Sequence, residues 1–477
     1  MHIPLNPNAP YTIFWFRQDL RIFDNLGLFE AAKIGPVIPI YIWDEDHRPD
    51  SKTGAASKWW LHHSLNYLNH SLDNNLNVYK GLPQEVINHI INTHPVKAVY
   101  WNRCYEPWRV TEDAKTKILL KERGTECKSF NSSLLWEPFT ILKADKTPYK
   151  VYSAFYQNGC LKSSKPRELI PRPEKLILIK DHSNPTTLDH LNLLGSIPWH
   201  SKLEHHWDVG EKAAQKKLMT FLNSNLKGYK ENRNYPAMKA VSRLSPHLHF
   251  GEISPHQIWH TLDQEETCQD KNHFLSEIAW REFSYYLLYH FPTLPYKNFR
   301  PQFDRFPWEK NALLLKAWQK GKTGYPIVDA GMRELWQTGY MHNRVRMIAG
   351  SFLVKNLLLH WHHGRDWFWD CLVDADLANN SASWQWVAGS GVDAAPYFRI
   401  FNPVTQGEKF DPTGLYTRHF VPELSKLPDQ YLFKPWEASP EILKNARIIL
   451  GKDYPTPIVD MKKSRQAALA AYKTGHT

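Results

Sequence analysis

Five short apolar runs in the first 130 residues, interleaved with stretches of helical period, constrain this chain more than any other feature. The runs are TIFWF (12–16), VIPIYIW (37–43), LNVYK (76–80), KAVYW (97–101) and a fifth near 125–130; the helical stretches are 25–33, 56–73, 84–92 and 110–123. β-Branched and aromatic residues dominate the runs, and strands alternating with helices predict a parallel, doubly wound sheet. Neither GxGxxG nor GxxxxGKS/T follows the first run, which excludes a conventional phosphate cradle there. The charged stretch RQDLRIFDN (17–25) stands in its place.

The pattern changes twice further on. Residues 141–205 lose periodicity and gather prolines and charges, as in KSSKPRELIPRPEKL (162–176), and read as a linker wrapped over the surface. From 206 onward helical period takes over at 207–226, 272–291, the 325–360 region and 441–449, with no strand pattern of comparable strength. The expected organisation is an α/β domain at 11–140, a linker at 141–205 and an all-α domain at 206–477. A chain of 477 residues is too long for one ordinary core.

Composition narrows the function. A net charge of +11 favours a polyanionic partner. The five cysteines (Cys104, Cys127, Cys160, Cys268, Cys371) are scattered and form no CxxC pair, which argues against a disulfide framework or a metal site and fits a reducing cytosol. No basic-then-apolar leader is present and no run of ~18 apolar residues could span a bilayer, so a cytoplasmic protein is expected.

Residues able to carry chemistry concentrate in DADLANNSASWQWVAGSGVDAAPYFRIFNPVTQGEKF (374–410). It holds Asp374, Asp376, Asn379, Asn380, Trp384, Trp386, Arg399 and Lys409 among small residues that let a ligand approach the backbone. The same residues also describe a buried turn with satisfied polar groups. In SRLSPHLHFGEIS (242–254), Ser242, Arg243, Leu244 and Ser245 precede a helical stretch; hydroxyls and unpaired N–H groups there can hold a pyrophosphate or simply cap the helix. In EIAWREF, Glu277, Trp280 and Arg281 share a helical face, either as a Glu277–Arg281 ion pair or as an aromatic wall with polar neighbours.

With TGYMHNRVRMIAGSFLVK (338–355) and TIFWFRQDLRIFDNLGL (12–28), these stretches resemble the DNA photolyase/cryptochrome family over most of the chain. The resemblance is strongest to class I photolyases for cyclobutane pyrimidine dimers. It implies an antenna-binding N-terminal domain and a helical domain binding FAD, active in its reduced form. The implied FAD contacts are Tyr229, Ser242, Arg243, Leu244, Ser245, Phe274, Glu277, Arg281, Arg346, Asp374, Asp376 and Asn380, with Arg346 pairing with Asp374 and Asn380 facing flavin N5. Glu277, Trp280, Trp386, Asn343 and Met347 are implied at the lesion pocket, and Trp308, Trp361 and Trp384 as an electron relay. The implied DNA contacts are Arg233, Trp280, Asn343, Arg344, Arg399, Gln406 and Lys409; no metal is implied. Where folate-using relatives carry an Asn-Glu pair, this chain offers Trp108 and Arg109 while keeping Glu106. That disfavours a folate antenna and leaves a deazaflavin, a second flavin or none.

The implied activity is that of a deoxyribodipyrimidine photo-lyase, a carbon–carbon lyase acting on UV-damaged DNA as a monomer without an obligate protein partner. Two rivals share the fold. A (6-4) photolyase carries histidines where this chain has Asn343 and Met347, neither of which exchanges a proton near neutral pH. A cryptochrome photoreceptor often alters the N5-facing residue and adds a long tail, whereas this chain has Asn380 and ends on RQAALAAYKTGHT (465–477). A dark flavin oxidoreductase lacks its nicotinamide motif.

Overall fold

The computed structural model describes residues 10–47, 52–397 and 399–474. The chain forms two compact units: Met1–Tyr149, Ser153–Asn223 and Ser242–Pro292 make the first, and Lys150–Tyr152, Ser224–Val241 and Thr293–Thr477 the second.

In the first unit β1 (Tyr11–Phe16), β2 (Val37–Trp43), β3 (Asn77–Lys80), β4 (Val96–Asn102) and β5 (Glu126–Phe130) form one parallel sheet in the order β3-β2-β1-β4-β5. The helices α1 (Leu26–Ile34), α2 (Ala55–Ser71), α3 (Pro83–Thr93) and α4 (Pro107–Glu122) connect them, as the alternation predicts. Every residue of β2 is buried, which a parallel strand covered on both faces requires. Ile13, Trp15, Ile40, Val99 and Trp101 anchor the core.

The charged stretch after β1 is a buried network. Arg17 pairs with Asp113 at 2.6 Å, and Asp19 accepts from the Asn102 amide at 2.5 Å. Arg21 donates to the carbonyls of Asp24, Ser132 and Gly251, each at 2.8 Å. Gly251 sits at φ +68°, and a Cβ there would lie 2.0 Å from the Gln18 carbonyl oxygen, so only glycine fits. Residues 17–25 thus clasp the HFGEIS segment and pair most of their polar side-chain groups, the buried Nε atoms of Arg17 and Arg21 excepted.

Residues 141–205 carry little regular structure yet are sewn onto the sheet. The Val37 N–H donates to the Ile177 carbonyl and Ile179 N–H to the Val37 carbonyl, both at 2.8 Å. Arg167 turns inward to the buried Asp24 at 2.5 Å. Helix α5 (Glu211–Ser224) starts four residues after the sequence pattern does, because Gly210 takes φ +104° and Glu211 accepts from the Ile22 and Phe23 N–H groups at 3.0 and 3.1 Å. A capping box of Ser254 and Gln257 opens α6 (Pro255–Asp263), and the 22-residue α7 (Gln269–His290) follows.

The second unit contains α8 (Ala312–Gln319), α9 (Pro326–Thr338), α10 (Asn343–Ser351), α11 (Trp361–Cys371), α12 (Leu377–Ala388), α13 (Pro403–Phe410) and α14 (Met461–Thr474). The 325–360 region breaks into pieces rather than one helix. Gly339 at φ +67° ends α9, and His342 caps α10 by accepting from the Arg344 N–H at 3.2 Å. A π turn, Phe352–Asn356, then prolongs α10. Trp318, Tyr325, Phe352, Trp361 and Trp384 fill the core between these helices.

Candidate active site

Helix α12 of the second unit starts where Asp376 caps it, accepting from the Asn379 backbone at 2.8 Å and its side-chain amide at 2.7 Å. Just before it, Asp374 receives Arg346 Nη2 on both oxygens, at 2.9 and 3.1 Å, so the expected pair forms. Burial works against the Arg346 charge, but Asp374 outweighs it and raises the pKa. Asn380 donates to the Arg365 carbonyl at 3.0 Å. That bond uses one amide N–H and leaves the other, with the amide oxygen, for a ligand.

Cations gather around the start of α10. Burial first, then the charges of Arg233, Arg344 and Arg346, push the His342 imidazole down to about 3, so it is neutral near pH 7. Arg344 stacks 4.3 Å over the Phe410 ring, and Lys409 Nζ lies 5.3 Å from the same ring. The guanidinium also bonds the Asn234 amide oxygen and reaches Met347 Sδ at 3.9 Å. Asn343 is exposed and Met347 half-buried on successive turns of α10; Arg399 and Lys409 are exposed and Gln406 half-buried. The plate that holds Arg344, Phe410, was missed from sequence although it follows Lys409 directly. Asn234 gave no signal.

Trp384 and Trp386 stand two residues apart on α12, about 200° around the helix. One indole is therefore in the core and the other half-buried. Trp384 fits against α11 because Gly364 lacks a Cβ, which would lie 2.0 Å from the ring. Trp361 is fully buried and donates from Nε1 to Asn298 at 2.9 Å. The His360 ring stands between Trp308 and Trp361, with centroids 5.1 and 5.7 Å away. Burial, with neighbouring His363 and Arg365, drives His360 down to about 4 and keeps it neutral.

In the first unit α7 carries four of the predicted residues. Glu277 and Trp280 are half-buried one turn apart; Glu277 lies 3.8 Å from His273, and Trp280 packs edge-on against Phe283 at 6.0 Å. The Phe274 side chain is in the core, 4.5 Å from Phe221. Arg281 donates to the Ser133 carbonyl at 2.9 Å, lies 3.3 Å from Glu282 and covers the Tyr285 ring at 4.8 Å. Its charge is answered by Glu282, and its side chain is withdrawn into the unit.

Arg243, which follows Ser242 and precedes Ser245 by two residues, holds φ +53° with its guanidinium 4.1 Å over Trp207. Ser242 Oγ accepts from the Leu244 N–H at 3.4 Å, Leu244 is buried and Ser245 is exposed. Strained backbone beside hydroxyls and a cation suits an anionic ligand. Tyr229, in the second unit, is buried under Arg233 at 5.5 Å.

Residues 12–174 match the family model described as DNA photolyase, and residues 274–474 the one described as the FAD binding domain of DNA photolyase. Over 468 residues the chain is 47% identical to the deoxyribodipyrimidine photo-lyase of Agrobacterium fabrum, covering 96% of this chain and 97% of that one. The chain belongs to the DNA photolyase/cryptochrome family. A bacterial class III photolyase structure from Agrobacterium tumefaciens superposes with a TM-score of 0.94 at 46% identity, covering 98% of each chain. Cryptochrome-1 of Arabidopsis thaliana is 35% identical over 95% of this chain and 69% of its own length.

FAD is the cofactor of this photolyase-family chain, and the residues present suit it. The Arg346–Asp374 pair, Asp376 and the open amide edge of Asn380 offer the donors and acceptors a flavin and ribose need. Ser242, Arg243 and Ser245 offer those a diphosphate needs. Directly before α4, Glu106 Oε1 accepts from Gln18 at 2.5 Å, while its buried Oε2 has no partner among the described residues. Arg109 is spent on Asp44. No described helix is long and apolar enough to cross a membrane.

Proposed function

We propose that this photolyase-family protein repairs DNA, splitting cyclobutane pyrimidine dimers under blue light. Of the family's subgroups we propose class III, named for the solved structure 46% identical to it, in place of the class I expected from sequence. One observation carries the substrate choice: Asn343 and Met347 occupy α10 where acid–base chemistry on a (6-4) lesion needs histidines, and the adjacent His342 is buried, neutral and committed to capping.

Bound in its reduced form, FAD supplies the light-driven electron that opens the cyclobutane ring and recovers it afterwards. The residues that would hold it are Tyr229, Ser242, Arg243, Leu244, Ser245, Phe274, Glu277, Arg346, Asp374, Asp376 and Asn380, the last donating at N5, while Arg281 is spent on Ser133 and Glu282. Trp280 and Trp386 stack on the extruded bases. Each stack returns ~1–3 kcal/mol against a flipping cost of a few kcal/mol, lower for a distorted dimer than for intact DNA. Selectivity follows from that difference. Glu277 hydrogen-bonds the polar edge of the dimer and steadies the charge that develops on it.

Arg233, Arg344, Arg399, Gln406 and Lys409 contact phosphates, a sequence-blind and salt-sensitive interaction suited to patrolling a genome. Trp308, Trp361 and Trp384 deliver electrons from the surface. We further propose that the protein works as a cytoplasmic monomer, with functional domains at 11–140 and 206–477 joined by 141–205. An antenna chromophore, where one is bound, is a deazaflavin or a second flavin rather than a folate, and the open oxygen of Glu106 is a group it would meet.

The deciding experiment illuminates reduced, FAD-loaded protein with dimer-containing DNA. Restoration of the monomeric pyrimidines is expected. Dimers left intact would refute repair and favour a cryptochrome-type receptor.

A further inference from the structure

One buried charge in the second unit has no counter-ion among the described residues and no part in the chemistry above. Lys355 lies in the π turn Phe352–Asn356 and is 1% exposed. A buried ammonium ordinarily has a carboxylate beside it, because an unpaired charge is expensive to bury. Here its hydrogen bond runs to the Arg399 carbonyl at 3.0 Å, and no carboxylate among the described residues pairs with it. The Tyr397 ring, 5.5 Å away, adds a cation–π attraction.

The surroundings hold this arrangement firmly. Tyr397 stacks on Tyr472 of α14 at 4.9 Å and 4°, and packs against Phe303 and Phe306. Asn356, next to Lys355, ties the turn to α14 by donating to Ser464 Oγ at 3.1 Å. Among the described residues the only charge acting on Lys355 is the Arg399 guanidinium, which is of like sign; burial pushes the Tyr397 phenol up, so the ring beside the lysine is neutral. Burial, and after it Arg399, hold the lysine down to about 8.

We propose that Lys355 is a positioning residue for DNA binding, its ammonium fixing the backbone of Arg399 so that the exposed guanidinium meets a phosphate. The idea rests on the reading of Arg399 as a phosphate contact. A phosphate at Arg399 cancels the repulsion between the two cations and favours the protonated lysine. Binding therefore draws in a proton wherever the free protein has lost it. The sign follows: affinity is level below pH ~8 and falls as pH rises above it, by up to about tenfold per pH unit for one linked proton.

The test measures affinity for a dimer-containing oligonucleotide between pH 6.5 and 9.5 at fixed ionic strength, with FAD content as the check on folding. Wild type should show the break near pH 8. Lys355→Met should bind roughly tenfold more weakly at pH 7, the size of one charged hydrogen bond, and show no break. Lys355→Arg should recover affinity, also without a break. Calorimetry of the wild type at pH 8.5, in buffers of different ionisation enthalpy, should report proton uptake without depending on any variant. An unchanged break in Lys355→Met, or no uptake by the wild type, overturns the proposal. Arg399→Ala separates the two levels. Lower affinity and a salt slope reduced by about one would uphold the phosphate contact even where Lys355 fails, while no effect sinks both.

Discussion

Trp384 owes its place to an absent methyl group, and restoring that methyl gives a quantitative test of the packing. A Cβ at Gly364 would meet three Trp384 ring carbons at 2.0, 2.4 and 2.5 Å. Ordinary carbon contacts lie at about 3.5–4.0 Å, so the ring must retreat by roughly 1.5 Å. It has little room, with Phe368 at 5.0 Å and Trp318 at 6.2 Å between ring centroids. Overpacking of this kind costs ~1–3 kcal/mol, and this clash belongs at the upper end. Alanine in a helix interior gives back ~1 kcal/mol over glycine. The net expectation for Gly364→Ala is a loss of about 2 kcal/mol. Gly350 is the internal control: its Cβ would come no closer than 3.3 Å to Val387 and 3.6 Å to Trp384, so Gly350→Ala should be neutral or slightly stabilising. In thermal melts of the FAD-loaded protein, Gly364→Ala should unfold about 4–8 °C lower, at ~2–4 °C per kcal/mol for a unit of this size. Its flavin photoreduction should slow as the indole is displaced. If Gly364→Ala melts with or above Gly350→Ala, the placement of Trp384 against α11 is wrong.

Four further outcomes are expected. Trp280→Ala should weaken binding of dimer-containing DNA while leaving FAD content intact, and Glu277→Ala should lower repair yield more than affinity; loss of FAD in the first, or unchanged yield in the second, would misassign α7. Trp384→Phe should block most photoreduction of oxidised FAD, read by absorption under anaerobic illumination, with repair by chemically reduced protein preserved. Burial pushes the Glu282 carboxyl up to about 7, and Arg281 with the Trp136 and Leu135 N–H groups only partly opposes it. An acid whose folded pKa is raised keeps its proton longer in the folded state, so stability should fall by about 3 kcal/mol between pH 4.5 and 7 and level off above. Denaturant titrations should show that slope in the wild type and not in Glu282→Gln.

Much of the fold was legible because periodicity is a local property. The strands of the sheet appear within one or two residues of the apolar runs that predicted them. What sequence spacing cannot show is a partner far along the chain. RQDLRIFDN has the look of a solvated loop until Arg21 is seen to reach Gly251, 230 residues away. Arg281 shares a helical face with Glu277 by spacing, yet its long side chain finds the Ser133 carbonyl instead. Gly364 is an unremarkable helix glycine until Trp384 arrives above it. Lys355 sits in an apolar run, and nothing in the sequence sets it beside Arg399.

The clasp between residues 17–25 and the HFGEIS segment also bears on how the nascent chain matures. The last strand is synthesised by residue 130, but the Gly251 carbonyl that answers Arg21 comes 230 residues after that arginine, ~10–50 seconds at ordinary rates of synthesis. Glu211 and Glu282, which receive the backbone N–H groups of Ile22, Phe23, Leu135 and Trp136, are also still to come. A truncated product ending after β5 therefore keeps the Asp24 carbonyl for Arg21 but lacks those of Ser132 and Gly251. It is a folding intermediate awaiting the rest of its interior.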